Sequence, residues 1–423
     1  MKKRIKNHYH WVVAAVLFLH LGIYVGFYNV GGSFLLPITL ELGISRSAYS
    51  VVVTFVGGIV SCLTLMVSGS LFQRFGYRKM LCIGMPCVIA GYSLMAFVNG
   101  LTGLVISSVL QGIAVGLCTS VTANRVINTW FCRHRGTVWG VLASVTGLGG
   151  SLWSAILPSL MEQLGWRNVY LSMAGILVAI MALNLLFVCN EPADMGLLPY
   201  GEGEHSETHK AAASKVLNYQ GCSFKELVRK PVFYLLLVAL TGLFICIYLP
   251  YSVIVAHGSD RGLSAEEASG LQSIMLLVLA GGKILFGWLM DRIGVRKVLM
   301  LCCALGASGL YMLATMAGHT QAVVAVVLYG LSLPVLTIVV PALTIDLFGY
   351  HSSAVAIGIF ASLTPVGSML AGPISNSVFD AVGNYAPAFY ASAGVLLGIM
   401  AVLLGIYAMA NREKKKWLNT HSE

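Results

Sequence analysis

The chain has 423 residues, 57% hydrophobic and 10% charged, with a mean hydropathy of +0.83; soluble proteins carry about a quarter charged residues, so a water-soluble enzyme is excluded. The formal charge of +10, from 26 Lys and Arg against 16 Asp and Glu, marks cytoplasmic loops in so apolar a chain before it suggests nucleic acid. Nothing in the chain looks like a DNA-binding patch, and no nucleic-acid partner is expected.

A helix crosses a hydrocarbon core of about 30 Å in about 20 residues. Runs of that kind cover 11–37, 49–72, 80–98, 101–130, 138–160 and 169–189, then 232–256, 268–290, 298–316, 322–347, 353–379 and 386–410. The expected fold is an all-α membrane protein of twelve transmembrane helices. With a cytoplasmic N-terminus, 21 of the 26 basic residues fall in inner loops and tails, three in outer loops (Arg46, Arg167, Arg261) and two inside spans (Arg125, Lys283). The positive-inside rule then predicts both termini in the cytoplasm of a multi-pass cell-membrane protein. The first apolar run exceeds a signal-peptide core and reads as an uncleaved helix. All ten cysteines lie in spans or inner segments, without metal-ligand spacing; they imply neither disulfides nor zinc. No metal or other cofactor is called for.

The chain repeats itself. A shift of 218 residues aligns Gly69 with Gly287, Arg74 with Arg292, Gly76 with Gly294, Arg78 with Arg296 and Lys79 with Lys297, and continues through Gly112 with Gly330, Ala143 with Ala361 and Gly149 with Gly367. Two six-helix halves result, 1–190 and 231–423, joined by a charged linker, 191–230, read as solvated and cytoplasmic. Parallel repeats related by an axis along the membrane normal place the expected site between them near the midplane.

Gly69-Ser-Leu-Phe-Gln-Arg-Phe-Gly-Tyr-Arg-Lys79 and Gly287-Trp-Leu-Met-Asp-Arg-Ile-Gly-Val-Arg-Lys297 resemble the two copies of the loop motif of the major facilitator superfamily, with Gln73 in place of the usual Asp in the first. The resemblance implies two pseudo-symmetric six-helix bundles. A narrower similarity, to the monocarboxylate transporter and oxalate/formate antiporter branch, runs through Trp130-Phe-Cys-Arg-His-Arg-Gly136, Gly147-Leu-Gly-Gly150, Gly165-Trp-Arg167, Glu191-Pro-Ala-Asp-Met-Gly-Leu-Leu-Pro199, Leu263-Ser-Ala-Glu-Glu-Ala268 and Gly282-Lys-Ile-Leu-Phe-Gly287.

Lys283 is the most informative position. Eight residues before Asp291, at about 1.5 Å per residue, it lies roughly 12 Å inside a core about 30 Å thick. A lysine there costs about 2.5 to 3.5 kcal/mol unless water or a partner meets it, and every Asp and Glu falls in loops, tails or span ends. An anionic substrate can meet it; the resembling branch implies a carboxylate-binding Arg at this place, so here a point charge replaces a fork. The alternative is a lysine snorkelling to the inner interface. His20, Tyr24 and Tyr28 at spacings of four share one face of helix 1, and Phe244, Tyr248 and Tyr251 one face of helix 7; they read as substrate-orienting residues or as packing and interface aromatics. The expected gating set is Arg74, Arg78, Asp291, Arg292 and Arg296 of the loop motifs, with Arg125 as a gate or loop-motif partner and Asp346 as a gate or cap.

The expected function is transport of a small organic anion, a mono- or dicarboxylate, by alternating access. No Walker motif is present, so a gradient drives it; the partners are that anion and the lipid bilayer, and the chain is expected to act as a monomer. Leu279 stands where proton-coupled members of the branch carry an acid, which points to anion exchange. Proton symport through His20, efflux of amphipathic compounds and a transporter-like sensor are the alternatives.

Overall fold

A computed structural model describes residues 9–132, 135–201, 228–348 and 353–421. Among the described residues, nine helices are long and apolar enough to cross a membrane. Two of these, Arg46–Met95 and Val138–Phe187, run for 50 residues, more than twice what a bilayer takes. Each is turned back at a glycine of positive φ, Gly76 (71°) and Gly165 (75°), a conformation a side chain resists. Each is therefore two spans, and with Ser353–Val382 the count reaches the expected twelve.

In chain order the spans are α1 (Tyr9–Leu42), α2 (46–75), α3 (77–95), α4 (Leu101–Trp130), α5 (135–164) and α6 (166–187). Then come α7 (Pro231–Asp260), α8 (Ala265–Ile293), α9 (Val295–Ala314), α10 (319–348), α11 (Ser353–Val382) and α12 (Ala386–His421).

The 218-residue repeat is written into the backbone. Gly294 (φ 84°) and Gly383 (φ 79°) repeat the turns at Gly76 and Gly165. The helix of α4 breaks at Thr119, and that of α10 at Thr337, 218 residues later. Side-chain packing repeats as well: Gly91 lies against Ser107 and Gln111, and Gly309 against their counterparts Ala325 and Tyr329.

The chain forms two compact units. One comprises Met1–Ala211 with Ile254–Ala280, the other Ala212–Val253 with Gly281–Glu423. The hairpin between α7 and α8 thus packs with the first unit, a grouping that hydrophobic periodicity alone does not reveal.

The start of the linker is folded, with Glu191, Asp194 and Leu198 exposed. Glu191 and Asp194 form a capping box around a 3-10 turn at Pro192–Met195. Tyr200 then bridges Phe131 at the end of α4, with Tyr200 N–H on the Trp130 carbonyl at 2.9 Å and Cys132 N–H on the Tyr200 carbonyl at 3.0 Å. His10 Nε2 donates to the Leu198 carbonyl at 2.8 Å. Aromatic surface on Trp11, Phe131 and Tyr200 offsets the cost of ordering this stretch. The rest of the linker, 202–227, lies outside the described residues.

Candidate functional site

Helix α1 does not keep the register its spacing predicts. Leu21–Val25 is π-helical, and its wider turn takes up about one extra residue, rotating the residues beyond it. His20 and Tyr24 are 1% exposed while Tyr28 is 46% exposed, so the three do not line one open face. The same stretch brings α1 hard against α5, where a Cβ on Gly149 would run into the Gly22 carbonyl and one on Gly26 would meet the Gly149 backbone at 2.9 Å. Only glycine permits this approach.

His20 has a structural task. Thr119 is extended (φ −93°, ψ −163°) and the Thr122 N–H turns to the Thr119 carbonyl at 3.1 Å, so the Cys118 carbonyl loses its helical donor. His20 Nε2 donates to it at 2.7 Å. On the other side of the ring, Asn184 Nδ2 lies 3.3 Å from Nδ1. That atom is the amide nitrogen, since it donates to the Ile180 carbonyl at 2.8 Å while Asn184 Oδ1 accepts from the Tyr77 hydroxyl at 2.7 Å. A carbonyl only accepts and an amide nitrogen only donates, so this ring is neutral, with its proton on Nε2. The geometry favours the packing alternative for His20, and for Tyr24, whose ring meets that of His20 edge-on at 5.8 Å.

On α7, Phe244 is buried against α11, where a Cβ on Gly367 would stand 2.5 Å from the Phe244 Cβ. Tyr248 and Tyr251 are half-buried, with rings 5.8 Å apart and near perpendicular. Pro250 lies inside this helix, and the Tyr329 hydroxyl of α10 donates to the nearby Ile247 carbonyl. Lys283 is 9% exposed. Its neighbour Gly282 lies against Pro334, with 3.0 Å between a built Cβ and the ring. Pro334 belongs to the 3-10 stretch Leu333–Leu336 that precedes the break in α10, so the lysine stands level with irregular backbone. Such backbone survives at membrane depth only where protein or a water-filled cavity surrounds it.

The loop motifs dock on the last helix of their own half. Arg78 donates to the Leu185 carbonyl at 2.6 Å, and its N–H to Asn190 Oδ1 at 2.9 Å. Arg74 is exposed and lies 5.4 Å over the Phe75 ring. Arg125 donates to the Ser68 carbonyl at 2.9 Å, covers Phe72 and touches Gly69, so it contacts the start of the first loop motif. In the second copy Arg292 lies over Trp288 at 4.8 Å and Arg296 over Tyr407 of α12 at 5.7 Å. Asp346 faces the same Tyr407. The Asp291 side chain lies outside the described residues.

Some ties escape a reading by spacing. Glu41 Oε2 accepts from Trp166 Nε1 at 2.5 Å and Oε1 from Arg167 Nε at 2.9 Å, while Arg167 also holds the Ala96 carbonyl at 2.9 Å. This explains the Gly165-Trp-Arg167 triplet as a clamp on α1, α3 and α6. Nothing in the sequence singled out Glu41 or Gln272. Among the described residues, no group of three or more His, Cys, Asp or Glu is arranged to hold a metal.

A twice-repeated bundle of apolar helices with glycine-lined crossings and broken spans defines a multi-pass membrane transporter. The family model described as Major Facilitator Superfamily matches residues 16–282 and 248–423, and the chain belongs to that superfamily. It is 26% identical to monocarboxylate transporter 12 of Xenopus laevis over 378 residues, 85% of this chain and 81% of that protein. It is 25% identical to monocarboxylate transporter 13 of Bos taurus, covering 80% and 75%. Among solved structures, the nucleoside transporter NupG has a TM-score of 0.74 at 13% identity, covering 94% of this chain and 99% of that one. A POT family transporter in complex with 5-aminolevulinic acid has a TM-score of 0.75 at 14% identity, covering 95% and 96%. The chain is a transporter of small organic molecules in a membrane.

Proposed function

We propose that this transporter carries a small organic anion, a mono- or dicarboxylate, by alternating access, and that it exchanges one anion for another. Lys283 carries the reading: it is a 9% exposed cation in the interior of α8, level with the α10 break, where a carboxylate has a partner that lipid does not provide. Tyr28, Tyr248 and Tyr251 supply orienting hydroxyls, and the loop-motif residues with Arg125 and Asp346 govern opening. The similarity to proteins named monocarboxylate transporters supports the substrate class. Exchange is preferred to proton symport because His20 is engaged as a neutral cap. The protein works as a monomer in the cell membrane with both termini in the cytoplasm, its two six-helix bundles spanning 1–190 and 231–423.

Uptake into proteoliposomes tests the proposal. Labelled carboxylate should enter vesicles preloaded with carboxylate and not empty ones, and Lys283→Ala should stop it. Unchanged kinetics in Lys283→Ala would remove the assignment. Uptake of amphipathic cations in place of carboxylates would replace the substrate class.

A further inference from the structure

The folded start of the linker, 191–200, lies back on the first turn of α1 and the end of α4. Tyr200 ties it to α4 through the two backbone hydrogen bonds with Trp130 and Cys132. Its tie to α1 is the His10 imidazole, which donates from Nε2 to the Leu198 carbonyl at 2.8 Å. His10 is 6% exposed. Three rings surround it, Trp130 at 5.7 Å, Phe131 at 6.2 Å and Tyr200 at 5.7 Å between centroids, all steeply inclined to it.

The hydrogen bonds fix where the ring carries its proton. A carbonyl only accepts, so Nε2 holds the hydrogen and Nδ1 presents a lone pair. Nδ1 is buried without a hydrogen-bond partner, and so is the Trp130 Nε1–H in the same cluster. A second proton would turn the ring into a buried cation with an N–H that has no acceptor, which is costly. No carboxylate meets it. Among the described residues, Asp and Glu form their ion pairs elsewhere, and Glu191 and Asp194 of this segment engage each other's backbone in the capping box. The other titratable or charged groups around it are Tyr9 on α1, Tyr200 on the segment itself and Cys132 at the end of α4, with Arg78 and Cys189 on the far side of Tyr9. The rings attract a cation less strongly than water hydrates it.

We propose that residues 191–200 are a strap that docks only on a neutral His10, so that acid on the cytoplasmic side releases it. Only the released state takes up the proton with its water shell intact, so docking weakens as pH falls. The strap holds α1 to α4 at their ends, as the bond from His20 to the Cys118 carbonyl holds them in mid-span. Its release therefore leaves one tie between these helices where there were two. The consequence for flux rests on the transport reading: cytoplasmic pH sets the rate of exchange through a proton that is not itself carried.

Hydrogen exchange of the full chain in nanodiscs reads the strap through the Cys132 and Tyr200 amides, which bond across it. Corrected for the chemical exchange rate at each pH, their protection should fall by about tenfold from about pH 8 to about pH 6 in the wild type. In His10→Gln, whose amide donates to a carbonyl but takes up no proton, protection should stay level over that range. In proteoliposomes with equal pH on both sides, carboxylate exchange should follow protection in the wild type and ignore pH in His10→Gln. Wild-type protection that is constant or rises in acid would overturn the strap switch, and this measurement needs no variant to fold. A pH response of protection that survives in His10→Gln would remove His10 from it, and exchange that ignores strap release would remove its control of transport. Absence of any carboxylate flux would defeat the transport reading alone, since amide exchange needs no substrate.

Discussion

Lys283 and His20 show how far a single residue can be understood from its place in the chain. Lys283 stood out because a cation eight residues inside a span is costly, a cost legible without any contact. Replacing it by Ala should lower carboxylate affinity by about 10- to 100-fold, the worth of one charge-assisted hydrogen bond, with the protein still reaching the membrane; Lys283→Arg should retain partial uptake with altered selectivity. Binding by thermal shift and uptake by flux check both. His20 was equally visible, yet its partners, the Cys118 carbonyl and Asn184, are 98 and 164 residues away and depend on a helix break that no local signal marks. His20→Ala should destabilise the fold by about 1 to 3 kcal/mol, because it strands a buried carbonyl, and His20→Gln, which can still donate, should recover part of the loss. Thermal unfolding in detergent measures this.

At the scale of elements, the glycine run of α5 has two jobs that periodicity cannot divide. Gly149 faces α1 while Gly147 and Gly150 face α8. Gly149→Ala should force α1 away from α5, costing about 1 to 3 kcal/mol by overpacking and abolishing uptake. Gly140→Ala on the same helix, where a Cβ meets nothing within 4 Å, should be silent. Fluorescence-detected size-exclusion after heating separates the two. The π-helical stretch of α1 is the clearest case in which periodicity misled. The spacing of His20, Tyr24 and Tyr28 is uniform in sequence, but beyond one widened turn Tyr28 is exposed while the other two are buried. The loop motifs were legible because their spacing recurs; that their arginines dock on α6 and α12 was not, since the receiving groups include a backbone carbonyl, which has no sequence signature.

For the whole molecule, the decisive prediction concerns coupling. With His20 neutral and capping α4, an imposed pH gradient should not drive concentrative uptake into empty vesicles, whereas internal carboxylate should. pH-driven accumulation that disappears in His20→Ala variants still folded at the assay temperature would instead make this histidine the proton carrier.

Membrane residence, twelve spans, the twofold repeat and the position of one interior cation were determined by the sequence itself. Each depends on composition, length or periodicity, quantities that the bilayer reads locally, one helix at a time. Only the tertiary structure decided which polar side chains are engaged, because that depends on partners brought from distant helices and on rotations introduced by a π turn and two broken spans. It also decided that residues 254–280 belong with the first unit. Apolar patterning specifies that a face is buried but not against which neighbour, and small residues and hydrogen bonds made that choice.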